Sequence, residues 1–129
     1  MSKERKKIVA KLDKVFSKYI RARDAIMYKG VCPFCHKRPI ECCFHFMSRI
    51  AYATRWREDN AIGSCMSCNM QNEHEPTPFI LWFIDHFGRE KLDYLQALYH
   101  SVATYTDNEL KLIIGEYKKR LDSLTLPTL

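Results

Sequence analysis

Two Cys-x-x-Cys pairs constrain this chain more than any other feature. The first pair is Cys32 and Cys35, and the second is Cys65 and Cys68. Each pair can supply two thiolates, and four thiolates are the usual tetrahedral ligand set of a structural zinc ion. A redox pair or an inert core position is the alternative. If zinc is bound, residues 36–64 form a loop whose two ends are held by one ion.

Two other cysteines and a histidine lie within or beside this loop. Cys42 and Cys43 are adjacent in sequence, which makes them poor disulfide partners, and we predict buried thiols rather than metal ligands. His36 directly follows the first cysteine pair. We expect it to be a surface residue or to contact one of the zinc-binding cysteines, rather than to bind the zinc ion as a fifth ligand.

The length and composition indicate one domain. A chain of 129 residues can build one modest hydrophobic core. No apolar run approaches the roughly 18 residues of a membrane span, and the basic N-terminus leads into no signal-peptide core. We therefore expect a cytosolic protein without a membrane partner, in which the six cysteines stay reduced.

The net charge of +6 is concentrated at the N-terminus. Residues 1–30 carry ten Lys or Arg and three Asp or Glu, whereas the remaining residues sum to −1. A basic arm on a nearly neutral body favours a polyanionic partner, with nucleic acid ahead of an anionic membrane. The alternative is a solvated helix face that has no partner. The DNA-contacting candidates in this arm are Lys6, Lys7 and Lys14.

The spacing of apolar residues predicts helices on both sides of a short hairpin. Apolar residues at three- and four-residue steps predict one amphipathic helix up to Gly30. Residues 31–64 are broken by prolines and a glycine and suit a small hairpin around the metal, after which a short helix begins at Cys68. Thr77, as a hydroxyl cap before Pro78, begins a helix that ends at Gly88. Another helix follows over about residues 89–101.

A capping box marks the last helix. Thr106 and Glu109 can satisfy each other's free backbone N–H groups, and they open a helix from Glu109 to about Leu124 that ends near Pro127. The predicted fold class is therefore α+β, with a long N-terminal helix, a zinc-stapled ββα unit and a helical C-terminal half. These three parts are residues 1–30, 31–75 and 76–129 of a single domain.

Three residues in and after the zinc loop have a spacing that suggests chemistry. His45, Asn60 and Asn69 follow the order of the HNH, or ββα-metal, nucleases: a histidine on a first strand, an asparagine after a loop, and Asn or His on the next helix. Phosphodiester hydrolysis needs a base for water, a divalent metal, and a group that orients the base. A histidine suits the first task and asparagine amides suit the others. The structural alternatives are a buried, hydrogen-bonded histidine and asparagines that cap a turn and a helix.

An ordered set of segments resembles the phage recombination proteins of the NinG (Rap) type. The matching segments are Leu12–Ala25, Cys43–Arg49, Ala53–Trp56, Asp59–Ala61, Cys65–Asn69 and Phe87–Glu90. Proteins of this type are zinc-containing, HNH-like DNA endonucleases associated with branched recombination intermediates. The resemblance implies that His45 is the general base, that Asn60 holds the base loop and that Asn69 is a metal ligand.

Two regions depart from that family. Phe44 stands where family members usually have Gly, and where many HNH nucleases have a metal-binding carboxylate. Residues 72–76 stand where the family tends to have Lys or His followed by Gly-Asn. The acidic ligand of the catalytic metal must then come from another residue, and the candidates are Glu41, Glu73, His74 and Glu75.

The sequence thus predicts a DNA endonuclease with a structural Zn²⁺ ion and a catalytic Mg²⁺ or Mn²⁺ ion. Arg49, Arg55 and Arg57 flank the site and are expected to bind phosphates, with a solvated rim as the alternative. A homodimer is left open, because two-fold assemblies cut two strands symmetrically. Two other classes compete: a non-catalytic DNA-binding module on a zinc scaffold, which Phe44 favours, and a protein-interaction adaptor.

Overall fold

The computed structural model describes residues 1–125, which form six α-helices and one two-stranded antiparallel sheet. The elements in order are α1 (Lys3–Met27), β1 (Cys42–His45), α2 (Tyr52–Arg55), a 3₁₀ turn (Glu58–Asn60), β2 (Ala61–Ser64), α3 (Met66–His74), α4 (Thr77–Phe87), α5 (Arg89–Tyr99) and α6 (Asp107–Thr125). The predicted mixed class, with a long first helix, a small sheet, a four-cysteine cluster and a helical C-terminal half, is confirmed. The predicted helix end near Pro127 lies outside the described residues.

Helix α1 is amphipathic over its whole length. Its N-terminus is capped by Ser2, whose Oγ accepts a hydrogen bond from the Arg5 N–H at 3.0 Å. One face is buried at three- and four-residue steps and packs mainly on α6. The helix ends at Met27 rather than near Gly30, because Lys29 and Gly30 adopt positive φ angles of 56° and 79° that turn the chain.

The hairpin lies between two clusters of buried side chains. Its strands pair from Cys42 with Ser64 to His45 with Ala61. Because side chains alternate along a strand, Cys43 packs against one cluster and Phe44 belongs to the other. The first cluster is built mainly from α1 and α6, and the second from α4, α5 and the cysteine pairs. The sequence predicts a single hydrophobic core. That prediction is wrong, since within the described residues the hairpin separates two clusters of buried side chains.

Two charged residues near the end of α1 fix the hairpin to that helix. Asp24 is only 3% exposed, and its Oδ2 accepts a hydrogen bond from the Gly63 N–H at 2.7 Å. Arg23 pairs with Asp24 at 2.9 Å and donates to the Ala61 carbonyl oxygen at 2.8 Å and to the Glu58 carbonyl oxygen at 3.1 Å. The backbone of β2 is thereby held in a fixed position against α1.

The helix starts follow the sequence signals with two corrections. The capping box is confirmed, since the Thr106 and Glu109 N–H groups each donate to the other side chain at 3.1 Å. Thr77 is not a cap: it is already helical, and Pro76 occupies the cap position with no side-chain hydrogen bond. Helix α3 begins two residues before Cys68, because the Cys65 Sγ accepts from the Cys68 N–H at 3.3 Å and caps it.

No helix within residues 1–125 combines the length and the apolar character needed to cross a bilayer. Helix α5 ends at Tyr99, close to its predicted end.

Gly63 provides a test of the close packing between the hairpin and its neighbours. A Cβ atom at this position would lie 2.7 Å from the Ile40 Cγ2 and 3.2 Å from the Asp24 Cβ. We expect Gly63→Ala to lower the free energy of unfolding by about 1–3 kcal/mol, measured by urea denaturation. Adding Ile40→Ala removes the nearer atom, so the double variant should lose less stability than the sum of the two single variants. Additive effects would show that the contact with Ile40 does not limit this position.

Candidate metal centre and the adjoining groove

The four paired cysteines meet at one point of the structure. The sulfur atoms of Cys32, Cys35, Cys65 and Cys68 all lie within 4.8 Å of one another, and the Cys35 and Cys65 sulfurs are 3.8 Å apart. A tetrahedral zinc ion with Zn–S bonds of about 2.3 Å requires sulfur atoms about 3.8 Å apart. The donor set and its spacing therefore fit a structural zinc ion, as the sequence predicts.

Two backbone hydrogen bonds fold the first cysteine pair into a turn. The Cys32 N–H donates to the Arg38 carbonyl oxygen at 2.8 Å, and the His36 N–H donates to the Cys32 carbonyl oxygen at 3.0 Å. His36 has a φ of 58° and an exposed side chain, in agreement with a surface residue. The backbone N–H groups of Lys37 and then Arg38 lower the pKa of Cys35 to about 6, whereas burial raises the pKa of Cys65 and of Cys68, so Cys35 loses its proton more readily than these two.

The other two cysteines lie outside this cluster. Burial raises the pKa of Cys43 to about 12, and burial also raises the pKa of Cys42. The sequence predicts buried thiols, and both residues are partly buried in the structure. They are protonated thiols at neutral pH and offer no ligand to the four-cysteine centre.

An open groove of about 920 Å³ adjoins the metal centre on the side of α3. One wall is the end of β1 and the loop that follows it, and the other wall is α3. His45 and Asn69, which the sequence singles out, both line this groove. Arg49 lines it from the loop with an exposed side chain. The structure thus brings together one histidine, one asparagine and two arginines of the predicted site, since Arg55 also lines the groove.

The His45 ring is held by a backbone carbonyl group. Its Nε2 lies 3.0 Å from the carbonyl oxygen of Arg55, and its ring centroid lies 5.9 Å from that of Phe16. Burial lowers the pKa of His45 to about 4, so the ring is neutral at pH 7. A carbonyl oxygen can only accept a hydrogen bond, so the neutral ring donates from Nε2 and keeps an unprotonated Nδ1.

Asn60 holds the loop between β1 and α2. Its side chain is fully buried, and its Oδ1 accepts a hydrogen bond from the Met47 N–H at 2.8 Å. Its Nδ2 donates to the Met47 carbonyl oxygen at 3.1 Å and to the Thr54 carbonyl oxygen at 3.0 Å. Asn60 does not line the groove. It cross-links the loop that carries Arg49, whereas its part in the chemistry stays a prediction.

Helix α3 presents two further groove residues, of which Glu73 was a candidate cation ligand in the sequence and Asn72 was missed. Asn72 and Glu73 both line the groove, and the Asn72 Nδ2 donates to the His45 carbonyl oxygen at 3.3 Å. Residues three and four positions apart share one face of a helix. Counting forward from Asn69 at helical spacing would have found Asn72 and would have favoured Glu73 over the other candidates. Asn69 itself is not the helix cap, because Cys65 occupies that position.

The four candidates for the additional cation ligand differ in whether they line the groove. Glu73 lines the groove, whereas Glu41, His74 and Glu75 do not. Phe44 is fully buried and packs in the second cluster, with its ring centroid 4.8 Å from that of Phe34 and 5.0 Å from that of Phe79. Position 44 therefore contributes no ligand to the groove.

Two of the three arginines predicted to bind phosphates are engaged within the protein. Arg55 lines the groove, but its guanidinium donates to both carboxylate oxygens of Asp13 at 3.0 and 2.6 Å and to the Arg49 carbonyl oxygen at 3.1 Å. Arg57 lies away from the groove and donates to both oxygens of Asp59 at 2.9 and 2.8 Å. The exposed Arg49 is the one of the three with a guanidinium in no described ion pair.

The lysines predicted to contact DNA lie on α1. Lys6, Lys7 and Lys14 are all exposed, and none of them lines the His45 groove. A duplex that reached both surfaces would have to cover the groove and the outer face of α1 together.

The fold and the four-cysteine centre define a small, helix-rich protein organised, within residues 1–125, around a candidate metal site with an adjoining polar groove. Comparison with protein families identifies the group more closely. Residues 1–126 match the family described as Bacteriophage Lambda NinG protein, and the chain belongs to this family. No curated protein and no solved structure matches the chain.

The metal centre predicts different zinc contents for two cysteine variants. We expect the purified protein to contain one zinc ion per chain and Cys65→Ser to retain much less, because losing one of four thiolates leaves the fourth position to water and weakens zinc binding. Zinc loss should also lower the thermal unfolding midpoint. Cys42→Ser is the matched control, since Cys42 lies outside the cluster, and it should keep both zinc and stability. Equal zinc contents in the two variants, measured by plasma emission, would contradict the assignment.

The buried neutral His45 predicts a pH dependence of stability. The unfolded histidine takes up a proton near pH 6.5, whereas the folded ring stays neutral down to its pKa of about 4. Protons therefore favour the unfolded state, and this contribution to stability is present above pH 6.5 and is lost as the pH falls toward 4. Relative to His45→Gln, the wild type should lose about 2 kcal/mol of unfolding free energy between pH 7 and pH 5.

Because both proteins keep the same cysteines, acid effects on the metal centre cancel in this comparison. Urea denaturation at several pH values provides the measurement. A difference between the two proteins that does not change with pH would show that His45 titrates normally.

Proposed function

We propose that the groove beside the metal centre hydrolyses phosphodiester bonds in DNA with the help of a divalent cation. Family membership supports a role related to phage recombination. The single observation that most supports hydrolysis is the His45 ring, which lines the groove and lies with its Nε2 3.0 Å from the Arg55 carbonyl oxygen. This arrangement resembles the HNH nuclease pattern of an oriented histidine base.

The protonation state of His45 suits a general base. Burial lowers its pKa to about 4, so the ring is unprotonated at neutral pH, as a general base must be, although it is a weaker base than a histidine whose pKa lies near 7. The hydrogen bond to Arg55 occupies Nε2, and Nδ1 is then the atom that takes the proton from water. The ring cannot rotate freely, because the carbonyl oxygen holds one nitrogen and Phe16 packs beside it.

The side chains across the groove fit a hard divalent cation. Asn69 and Glu73 lie one helical turn apart on α3, and both line the groove with oxygen donors. Mg²⁺ is commonly bound through one or two carboxylates, with waters and substrate phosphates completing its ligand set. A cation bound there would stabilise the charge that develops on the phosphate and on the leaving oxygen. Asn69 and Glu73 are the residues we assign to hold it.

Charge around the groove supports a polyanionic substrate. Arg49 projects from the loop that Asn60 holds, and its exposed guanidinium can bind a phosphate bidentately. The outer face of α1 adds exposed lysines, which include Lys6, Lys7 and Lys14. Arg55, bound by Asp13, supports the loop instead, since it donates to the Arg49 carbonyl oxygen.

Cleavage assays test this function directly. A labelled four-way junction and a linear duplex of matched sequence are incubated with wild type, His45→Ala and His100→Ala in Mg²⁺, Mn²⁺ and Ca²⁺. We expect wild type to cut in Mg²⁺ or Mn²⁺ and to bind without cutting in Ca²⁺. Loss of a general base should slow His45→Ala by about 100-fold or more. His100→Ala should cut normally, because His100 is exposed at the end of α5.

Zinc content and thermal stability must be equal in the three proteins for the rates to be compared. Cleavage by zinc-loaded His45→Ala at the wild-type rate would remove His45 from the mechanism.

A non-catalytic DNA-binding module is the second candidate function. The observation that favours it is Phe44, which is buried where many HNH nucleases have a metal-binding carboxylate, and Glu73 is the single carboxylate that lines the groove among the described residues. In that case DNA binding would be the same in Ca²⁺, Mg²⁺ and Mn²⁺, and no protein in the series would cut.

A further inference from the structure

A second groove lies between α1 and α6, on a different surface from the His45 groove. It has a volume of about 390 Å³ and an apolar floor formed by Ile8, Ile114 and Gly115. Four lysines surround this floor, two from each helix, against a single glutamate, Glu4; the lysines are Lys7, Lys11, Lys111 and Lys118. The apolar stems of lysine side chains extend such a floor, while their ammonium groups stay at its rim.

Gly115 indicates that this groove is kept open. It lies near the middle of the 19-residue helix α6, where glycine lowers helix stability relative to alanine. The fold does not require it, because a Cβ atom at this position would have no neighbour within 4 Å and the backbone has no positive φ. A glycine that weakens a helix without a packing reason, on the floor of a groove, fits a place where another molecule approaches the backbone.

Charge and shape together point to the chemistry of that molecule. The excess of lysine over glutamate at the rim favours a ligand with several negative charges. The apolar floor favours a ligand that also carries an apolar side chain. A DNA backbone provides the negative charges but no apolar group that would fill the floor. An acidic peptide segment with an apolar residue provides both.

We propose that the α1–α6 groove binds a short acidic peptide segment of a partner protein, with one apolar side chain seated over Gly115 and carboxylates paired with the surrounding lysines. This site is separate from the His45 groove and does not depend on the proposed nuclease activity. Lys7 belongs to this groove and also to the lysines that the proposed function places against DNA, so a bound peptide would compete with DNA for Lys7 alone, while Lys6, Lys14 and the His45 groove lie outside the peptide site.

The test measures binding of a fluorescein-labelled peptide of four aspartates followed by Leu-Phe to the full-length, zinc-loaded protein. Fluorescence anisotropy should show saturable binding that weakens with salt. Gly115→Ala places a methyl group on the floor and should weaken peptide binding roughly tenfold. The same substitution should raise the thermal unfolding midpoint by roughly 3–6 °C, because alanine is the better helix former. Weaker binding by a more stable protein cannot be attributed to misfolding.

A charge-matched pair of variants isolates the rim. Lys118→Glu should weaken peptide binding roughly fivefold, whereas Lys119→Glu, with the same change in charge on an exposed neighbour outside the groove, should not. A peptide in which Leu-Phe is replaced by Ala-Ala should bind weakly to all proteins.

Three results would overturn the proposal. The first is no peptide binding by wild type at millimolar concentration, and the second is equal binding by wild type and Gly115→Ala. The third is that Gly115→Ala weakens binding of a 12-base-pair DNA duplex but leaves peptide binding unchanged. That result would make the groove a DNA site. None of these results depends on whether the His45 groove cuts DNA.

Discussion

The four-cysteine centre is the constraint on which the rest of this structure depends. It joins the turn after α1 to the start of α3, and the segment between them carries both strands, His45 and Asn60. A two-stranded hairpin is marginally stable on its own. Here one end of the hairpin is fixed at the metal centre, and β2 is fixed to α1 by Asp24 and Arg23. Because the second cysteine pair also opens α3, the position of the four-cysteine cluster sets that of Asn69 and Glu73 across the groove from His45.

Strand alternation separates packing from chemistry within β1. Phe44 points into the aromatic cluster of Phe34, Phe46 and Phe79, whereas His45 lies on the side of Phe16 and the groove. A polar ligand at position 44 would have to enter that apolar cluster, where an unpaired carboxylate is costly. The departure at Phe44 is thus consistent with the packing of this chain, and the donors available to a cation come from α3 instead. The same burial that packs His45 keeps its ring neutral.

Local signals predicted more of this structure than long-range ones did. The cysteine pairs, the amphipathic first helix and the capping box at Thr106 and Glu109 each depend on residues close in sequence, and each is present. The groove residues His45 and Asn69 were found by spacing and Glu73 was one of four candidate cation ligands, but finding Asn72 required the helix face to be counted forward from Asn69. The role of Arg55 could not be predicted, because its partner Asp13 lies 42 residues earlier on α1. Division of the core in two likewise follows from tertiary packing across the hairpin.

The composition of the groove bears on how a cation and DNA would bind to it. Asn69 and Asn72 are neutral, and Glu73 is the one carboxylate lining the groove in residues 1–125, so the protein itself offers little negative charge to a divalent ion. The positive charge of Arg49 at the rim reduces this negative charge further. Affinity for a hard cation rises with the charge of its ligands, and substrate phosphates commonly complete the ligand set of Mg²⁺. If the proposed function is correct, cation and DNA should therefore bind cooperatively, because each reduces the unfavourable charge that the other meets.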